Sequence, residues 1–265
     1  MVFKKWNVPH NKNLSAKYLD REWLNDKYWK EGLSINEIAE LCKVGYAIIW
    51  YWLNKLGIPR RSQSEANHLA RGNHCILLFK SIEWVNGELL GDGYLRSDTI
   101  YSARFAYTSK HLEYIQYISD TLKSFGIEQS GKIREEYNKN QGNHSYRYHS
   151  LHYEELYPIY KRWYPKGKKI VPKDIKLTPL TCRQWYIGDG CLQHSKRMMK
   201  FIVLHTNGFK PNDVEWLKNR LTKMGFISTR RLSDNAIGIS AYSTKGFLDY
   251  IGDCPVDCYR YKWKY

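Results

Sequence analysis

Apolar residues recur along this chain at two different periods. Between positions 20 and 56 they fall three and four apart, the spacing of one helical face. Trp23, Leu24, Tyr28 and Trp29 predict a first helix that begins near Asp20 and stops at Gly32. Ser34, with Glu37 three residues on, forms a capping box for a second helix over 35–41, with Ile35, Ile38, Ala39 and Leu41 inward. The turn Cys42-Lys43-Val44-Gly45 leads to a third helix over 46–56. Its inner face is Ile48, Ile49, Trp52 and Leu53, and Gly57 closes it. Residues 1–16 carry no pattern and predict a loose basic arm. Pro59 and Ser62-Gln63-Ser64-Glu65 predict a linker reaching about His74.

From position 76 the period switches back and forth between helix and strand. Helices are predicted over 110–125, with Gly126 past the end, and over 154–163. Strands are predicted over 101–107, 132–137 and 145–152, with a turn over 138–143. The second half repeats this order: a strand over 200–204, a helix carrying Val214, Leu217, Leu221 and Met224, strands over 227–232 and 236–241, and a helix over 244–251. The predicted fold class is α+β. Two pseudo-symmetric αββαββα repeats, the first over 73–165 and the second, entered through a basic linker, over 166–265, follow an all-α helix-turn-helix domain with its linker over 1–72. Repeats of this kind pack about a pseudo-two-fold axis.

The first helix of each repeat closes on the same signal. One stretch is Gly87-Glu88-Leu89-Leu90-Gly91-Asp92-Gly93, and the other is Gln184-Trp185-Tyr186-Ile187-Gly188-Asp189-Gly190. A single Gly-Asp-Gly is usually a turn. Two of them, each ending an apolar helix before the same order of elements, predict paired helices. Gly87, Gly91 and Gly188 would let the backbones approach and bring Asp92 and Asp189 into one site. Two carboxylates sharing a site repel unless a cation lies between them, which points to a hard divalent metal. Metal between carboxylates suits in-line phosphodiester hydrolysis.

Charge narrows the partner. The 265 residues carry 42 Lys+Arg against 26 Asp+Glu, a net +16, which calls for a polyanion, most often nucleic acid, with a membrane surface as the other. No apolar run approaches the ~20 residues of a membrane span, and the first eleven residues lack an apolar leader segment. Six cysteines without a C-x-x-C pair predict free thiols in an intracellular, reducing compartment. In the helix-turn-helix reading the third helix enters the major groove with Tyr46, Ala47, Trp50, Tyr51 and Lys55 outward, and Arg60 and Arg61 reach the phosphates. The alternative is a helical bundle that only packs. The basic run over 160–176, including Lys168 and Lys169, is either a solvated loop or a segment lying along phosphates. Arg104, Arg134, Arg147, Lys200, Arg230 and Arg231 are base readers by type, on strands whose alternation leaves the facing unassigned.

The two motif stretches, with Trp163-Tyr164-Pro165, Lys168-Lys169, Pro172-Lys173-Asp174-Ile175 and Leu177-Thr178-Pro179-Leu180, resemble the LAGLIDADG homing endonucleases in their single-chain, two-motif form, over about 76–252. The resemblance implies saddle-like antiparallel sheets over the DNA major groove and the motif helices as interface between repeats. It implies Mg²⁺ or Mn²⁺ bound by Asp92 and Asp189 with the carbonyls of Gly91 and Gly188. The implied activity is double-strand cleavage of a long asymmetric DNA target by a monomer, leaving short 3′ overhangs. It further implies a basic catalytic residue where the last strand of each repeat meets its helix: Lys245 in the second, and His149 or His152 in the first, where no lysine stands. Gln184 departs from the small residue usual at its position, and Leu90 and Ile187 stand where an acid is frequent. Two alternatives remain: a maturase acting on intron RNA, and a non-cleaving DNA-binding regulator, which would have no need of both aspartates.

Overall fold

A computed structural model describes residues 16–62, 66, 72–138, 142–194 and 199–265. The arm expected over 1–15, much of the linker expected up to His74 and the centre of the 138–143 turn lie outside the described residues. The chain divides into two units, Met1–Gly72 and Asn73–Tyr265.

In the first unit, α1 (Arg21–Asn25) is capped by the Asp20 carboxylate, which accepts from the backbone N–H groups of Glu22 and Trp23, and it runs on into a π turn over Asp26–Lys30. The capping box of Ser34 and Glu37 opens α2 (Ile35–Leu41), and α3 (Tyr46–Lys55) follows a tight turn. Leu24, Tyr28, Ile38, Ile49, Leu53 and Ile58 form the core of this unit. Leu41 was expected inside and is exposed. It is the last residue of α2, and the chain turns away through Lys43, whose φ is 54°.

The second unit holds the same topology twice. Strands β1 (Tyr94–Arg96), β2 (Arg104–Ser109), β3 (Arg134–Asn138) and β4 (Asn143–His149) form a sheet in the order β1-β2-β4-β3. Strands β5 (Gly190–His194), β6 (Lys200–Leu204), β7 (Ser228–Arg231) and β8 (Ala236–Ile239) form one in the order β5-β6-β8-β7. All pairings are antiparallel. Around them lie α4 (Phe79–Leu90), α5 (Leu112–Ser124), α6 (Leu156–Trp163), α7 (Pro179–Asp189), α8 (Pro211–Lys223) and α9 (Ala241–Ile251). The short strands β1 and β5, directly after each motif, take the strand position that the predicted αββαββα order required and to which no span was assigned. One apolar core runs through both repeats, with Trp84 and Leu89 of α4 and Trp185 and Ile187 of α7 among its members.

The two motif helices pack on each other, and their fit is unequal. A Cβ on Gly87 would lie 2.6 Å from the Thr181 carbonyl oxygen and 2.8 Å from Gln184 Cβ. Glycine is therefore required where Gln184 crosses. Near the C-terminal ends, a Cβ on Gly91 would stand 3.3 Å from Gly188 Cα, and one on Gly188 would stand 3.1 Å from the Asp92 nitrogen. The Thr181 hydroxyl ties the other end, donating to the Glu83 carbonyl at 3.1 Å.

Candidate active site

Helix α4 stops at Gly91 and α7 ends at Asp189, so the close glycine contact sets Asp92 and Asp189 at one end of the helix pair. Asp92 is exposed and receives a hydrogen bond from the buried Tyr107 hydroxyl at 3.4 Å. Asp189 is half-buried. Burial, and then the charge of Asp92, raise its carboxyl to about 7, against the opposing pull of Lys169 and Lys262.

Two lysine amines complete the cluster. Lys169 donates to the carbonyls of Gly93 at 3.0 Å and Gly91 at 3.3 Å. Lys262 donates to Ile187 at 2.5 Å and Gly188 at 3.3 Å. Helix C-terminal carbonyls carry partial negative charge and attract cations. Burial lowers each amine to about 8, while the charges of Asp92 and Asp189 hold it up. Each lysine lies on a segment beyond the last helix of its own repeat, and that segment is fastened to the other repeat. Asp213 of α8 pairs with Lys173 at 2.5 Å and accepts from the Val171 N–H at 3.4 Å. Glu113 of α5 accepts from the N–H groups of Asp257 and Cys258 at 2.7 and 3.0 Å, at the start of the 3-10 turn Asp257–Trp263 that carries Lys262.

Beneath Asp92 lies a fourth ionisable group. Glu88 is fully buried, and its Oε1 accepts from the Tyr114 hydroxyl at 2.6 Å and the Gln184 amide at 2.7 Å. Its Oε2 and the Gln184 Oε1 are buried without a hydrogen-bond partner. Burial, with repulsion from Asp92, raises the Glu88 carboxyl to about 8. The neutral acid carries a proton that these orphaned acceptors need.

Several expectations are corrected. Lys245 stands exposed on α9, paired with Asp249 at 2.7 Å, and the amines at the carboxylates are Lys169 and Lys262 instead. His149 lies on β4 and His152 just beyond that strand, and burial, then the charge of Arg104, lowers both imidazoles. Lys169 faces the carboxylates rather than a phosphate-lining loop. Arg61 is half-buried: its guanidinium donates to the carbonyls of Tyr28, Gly32 and Leu33 and lies 3.9 Å from the Tyr28 ring centre. It clamps the first unit, so its charge is spent internally. Lys200 donates to the Lys264 carbonyl. Arg230 shares the helix-side face with Ser228, which bonds α8, and its guanidinium donates to Asn235 Oδ1 at 3.0 Å.

Other expected contacts stay outward. Tyr46, Trp50 and Tyr51 are exposed on α3, and the Arg60 guanidinium lies 5.4 Å from the Trp50 ring centre. Lys168 is exposed. Lys262 and Glu88 went unpredicted. The one signal for the amines is spacing: Lys169 follows Asp92 by 77 positions, and Lys262 follows Asp189 by 73.

A duplicated αββαββα unit, joined through two helices with an aspartate at or just past each C-terminal end, defines the class of scaffold. The model of the LAGLIDADG DNA endonuclease family matches residues 82–245, and the chain belongs to that family. The chain is 26% identical over 211 residues to the uncharacterized protein MJ1098 of Methanocaldococcus jannaschii, a match covering 74% of this chain and 75% of that protein. Among solved structures, the homing endonuclease I-WcaI bound to its DNA recognition sequence shares the fold, with TM-score 0.58 at 20% identity over 79% of this chain and 96% of that one. The structure of I-DmoI in complex with DNA and Mn aligns with TM-score 0.43 at 15% identity, over 64% and 97%.

Proposed function

We propose that this chain is a site-specific endonuclease that makes double-strand breaks in DNA by hydrolysing phosphodiester bonds at the joined ends of α4 and α7, with Mg²⁺ or Mn²⁺. The observation that carries the reading is the gathering of Asp92, Asp189, Lys169 and Lys262 at one end of one helix pair. Among the described residues no cluster of three His, Cys, Asp or Glu side chains forms a closed cage. Two carboxylates alone suit a cation that completes its shell with water and substrate phosphate, as Mg²⁺ does. The half-buried Asp189, destabilised as an anion, fits the same conclusion, since a cation would offset that cost. A bound divalent ion would polarise the phosphate and its attacking water.

The chain's own groups do the rest. Asp92 and Asp189 supply the hard oxygens, and Tyr107 orients Asp92. Lys169 and Lys262, each with a pKa of about 8, are mostly protonated at pH 7. They can stabilise charge gathering on the phosphate and exchange a proton near neutrality. In the first unit, α3 with Tyr46, Trp50, Tyr51 and the neighbouring Arg60 offers a further contact to the duplex. A plasmid library incubated with Mg²⁺ tests the proposal. Linearised members are expected, and Asp92→Asn or Asp189→Asn should stop cutting while leaving duplex binding in place. Absence of linearisation from every target context sinks the nuclease reading.

A further inference from the structure

The two sheets have the same topology and opposite chemistry on the face turned away from the helices. In the first sheet Phe105, Tyr107 and Tyr148 enter the core. Strand alternation therefore puts Arg104 and Thr108 of β2 on the other face. The register carries that face across the sheet: Arg96 lies opposite Arg104, and Thr108 opposite Arg147, which in turn lies opposite Arg134. The same four arginines all act on the imidazole of His149, an independent sign that they share one surface. Arg96 pairs with Asp98 and Arg147 with Glu136. Among the described residues, Arg104 and Arg134 form no ion pair, although the charge of Arg104 acts on Asp98, and Arg104 Nε is buried without a hydrogen bond.

The second sheet differs. Leu192, Ile202, Leu204, Ile237 and Ile239 face or pack on the core. The outer face consequently carries Cys191, Gln193, Phe201, Val203 and Thr229, with Arg231, and the Gln193 amide donates to Cys191 Sγ at 3.3 Å. Gly238 confirms the phase, since a Cβ there would meet Thr229 Oγ1 at 3.5 Å and Arg231 Cδ at 3.9 Å. Arg231 is the cation on these strands' outer face among the described residues, and Asp234 pairs with it at 3.0 Å.

We propose, building on the DNA-cleavage reading, that the DNA target is compositionally polar: the first repeat reads guanines, and the second reads A·T pairs. Arginine forks fit guanine O6 and N7, whereas glutamine fits adenine, and threonine methyls and phenylalanine fit the thymine methyl. Arg104 and Arg134, which form no ion pair, are the guanine readers. Gln193, Phe201 and Thr229 form the A·T-reading face.

The test is selection of bound duplexes from a 40-bp random library by the full chain without divalent metal, followed by sequencing. Expected are sites rich in guanine on one side of the centre and in A·T on the other. R104K/R134K keeps the charge and loses the fork. It should still retain duplex, yet lose about tenfold of the guanine preference on that flank alone. Phe201→Ala with Thr229→Ser should relax the A·T flank alone. Equal composition on both flanks, or relaxation of the wrong flank, overturns the proposal while leaving the nuclease reading intact. Failure of the unaltered chain to retain any duplex overturns both.

Discussion

Glutamate 88 offers the sharpest test of how the site is built. Its carboxyl is fully buried among Tyr114, Gln184 and the apolar core, and its pKa lies near 8 against an ordinary 4.5. Below pH 4.5 the acid is protonated in both folded and unfolded chains. Between 4.5 and 8 the unfolded chain releases the proton and the folded chain keeps it, so the stability from this group is progressively lost as pH rises. Above 8 the loss is complete. Each unit of difference corresponds to about 1.4 kcal/mol, so the full swing reaches roughly 5 kcal/mol as an upper limit. Glu88→Gln keeps the shape and an Oε1 that accepts from Tyr114 and Gln184, and removes the titration. Urea unfolding in EDTA from pH 4.5 to 9 should show the variant matching the native chain at the acid end and exceeding it by a few kcal/mol at the alkaline end. Asp189 titrates in both proteins, so the difference between the curves isolates Glu88. Parallel curves across the whole range would refute the neutral buried acid.

Three further outcomes follow from the same geometry. Asp189 has a raised pKa of about 7 and is a poor metal ligand when protonated, so cleavage should fall as pH drops from 8 to 6, and more Mg²⁺ should move the fall to lower pH; a midpoint indifferent to Mg²⁺ would count against Asp189 as ligand. Lys262→Met should slow cleavage at least about 100-fold with the chain still folded by circular dichroism, whereas Lys245→Met should cut at the native rate; the reverse order would restore Lys245 to the site. Gly87→Ala should cost about 1–3 kcal/mol in thermal or urea unfolding, because its Cβ meets the Thr181 carbonyl at 2.6 Å, while Gly45→Ala, with nothing within 4 Å, should cost far less.

Local signals made the repeated fold legible. Helical spacing, the Ser34 capping box and the two Gly-Asp-Gly endings are all written in adjacent residues, and they fixed element order and the pairing of the motif helices. The amines were not legible in the same way. Lys169 and Lys262 lie on aperiodic segments, and what brings them to the carboxylates is fastening by Asp213 and Glu113, both distant in sequence. Strand phase was hidden for a related reason. Phe201, Ile202, Val203 and Leu204 are apolar in succession, so alternation is invisible until the partner strands fix the face. Arg60 and Arg61 show the limit at its finest: neighbouring identical residues, one on an exposed aromatic ring and one locked among three carbonyls.

The fit of Gly87 beneath Gln184 has a consequence for ancestry. A pair made of two first repeats would bury two Glu88 acids with no amide to meet them. A pair made of two second repeats would drive two Gln184 side chains into space that only a glycine leaves open. Each half is thus a partner for the other and a misfit for itself. Whatever symmetric assembly preceded this chain, the duplication has become one-way: cut apart, the halves could rebuild the molecule only by finding each other.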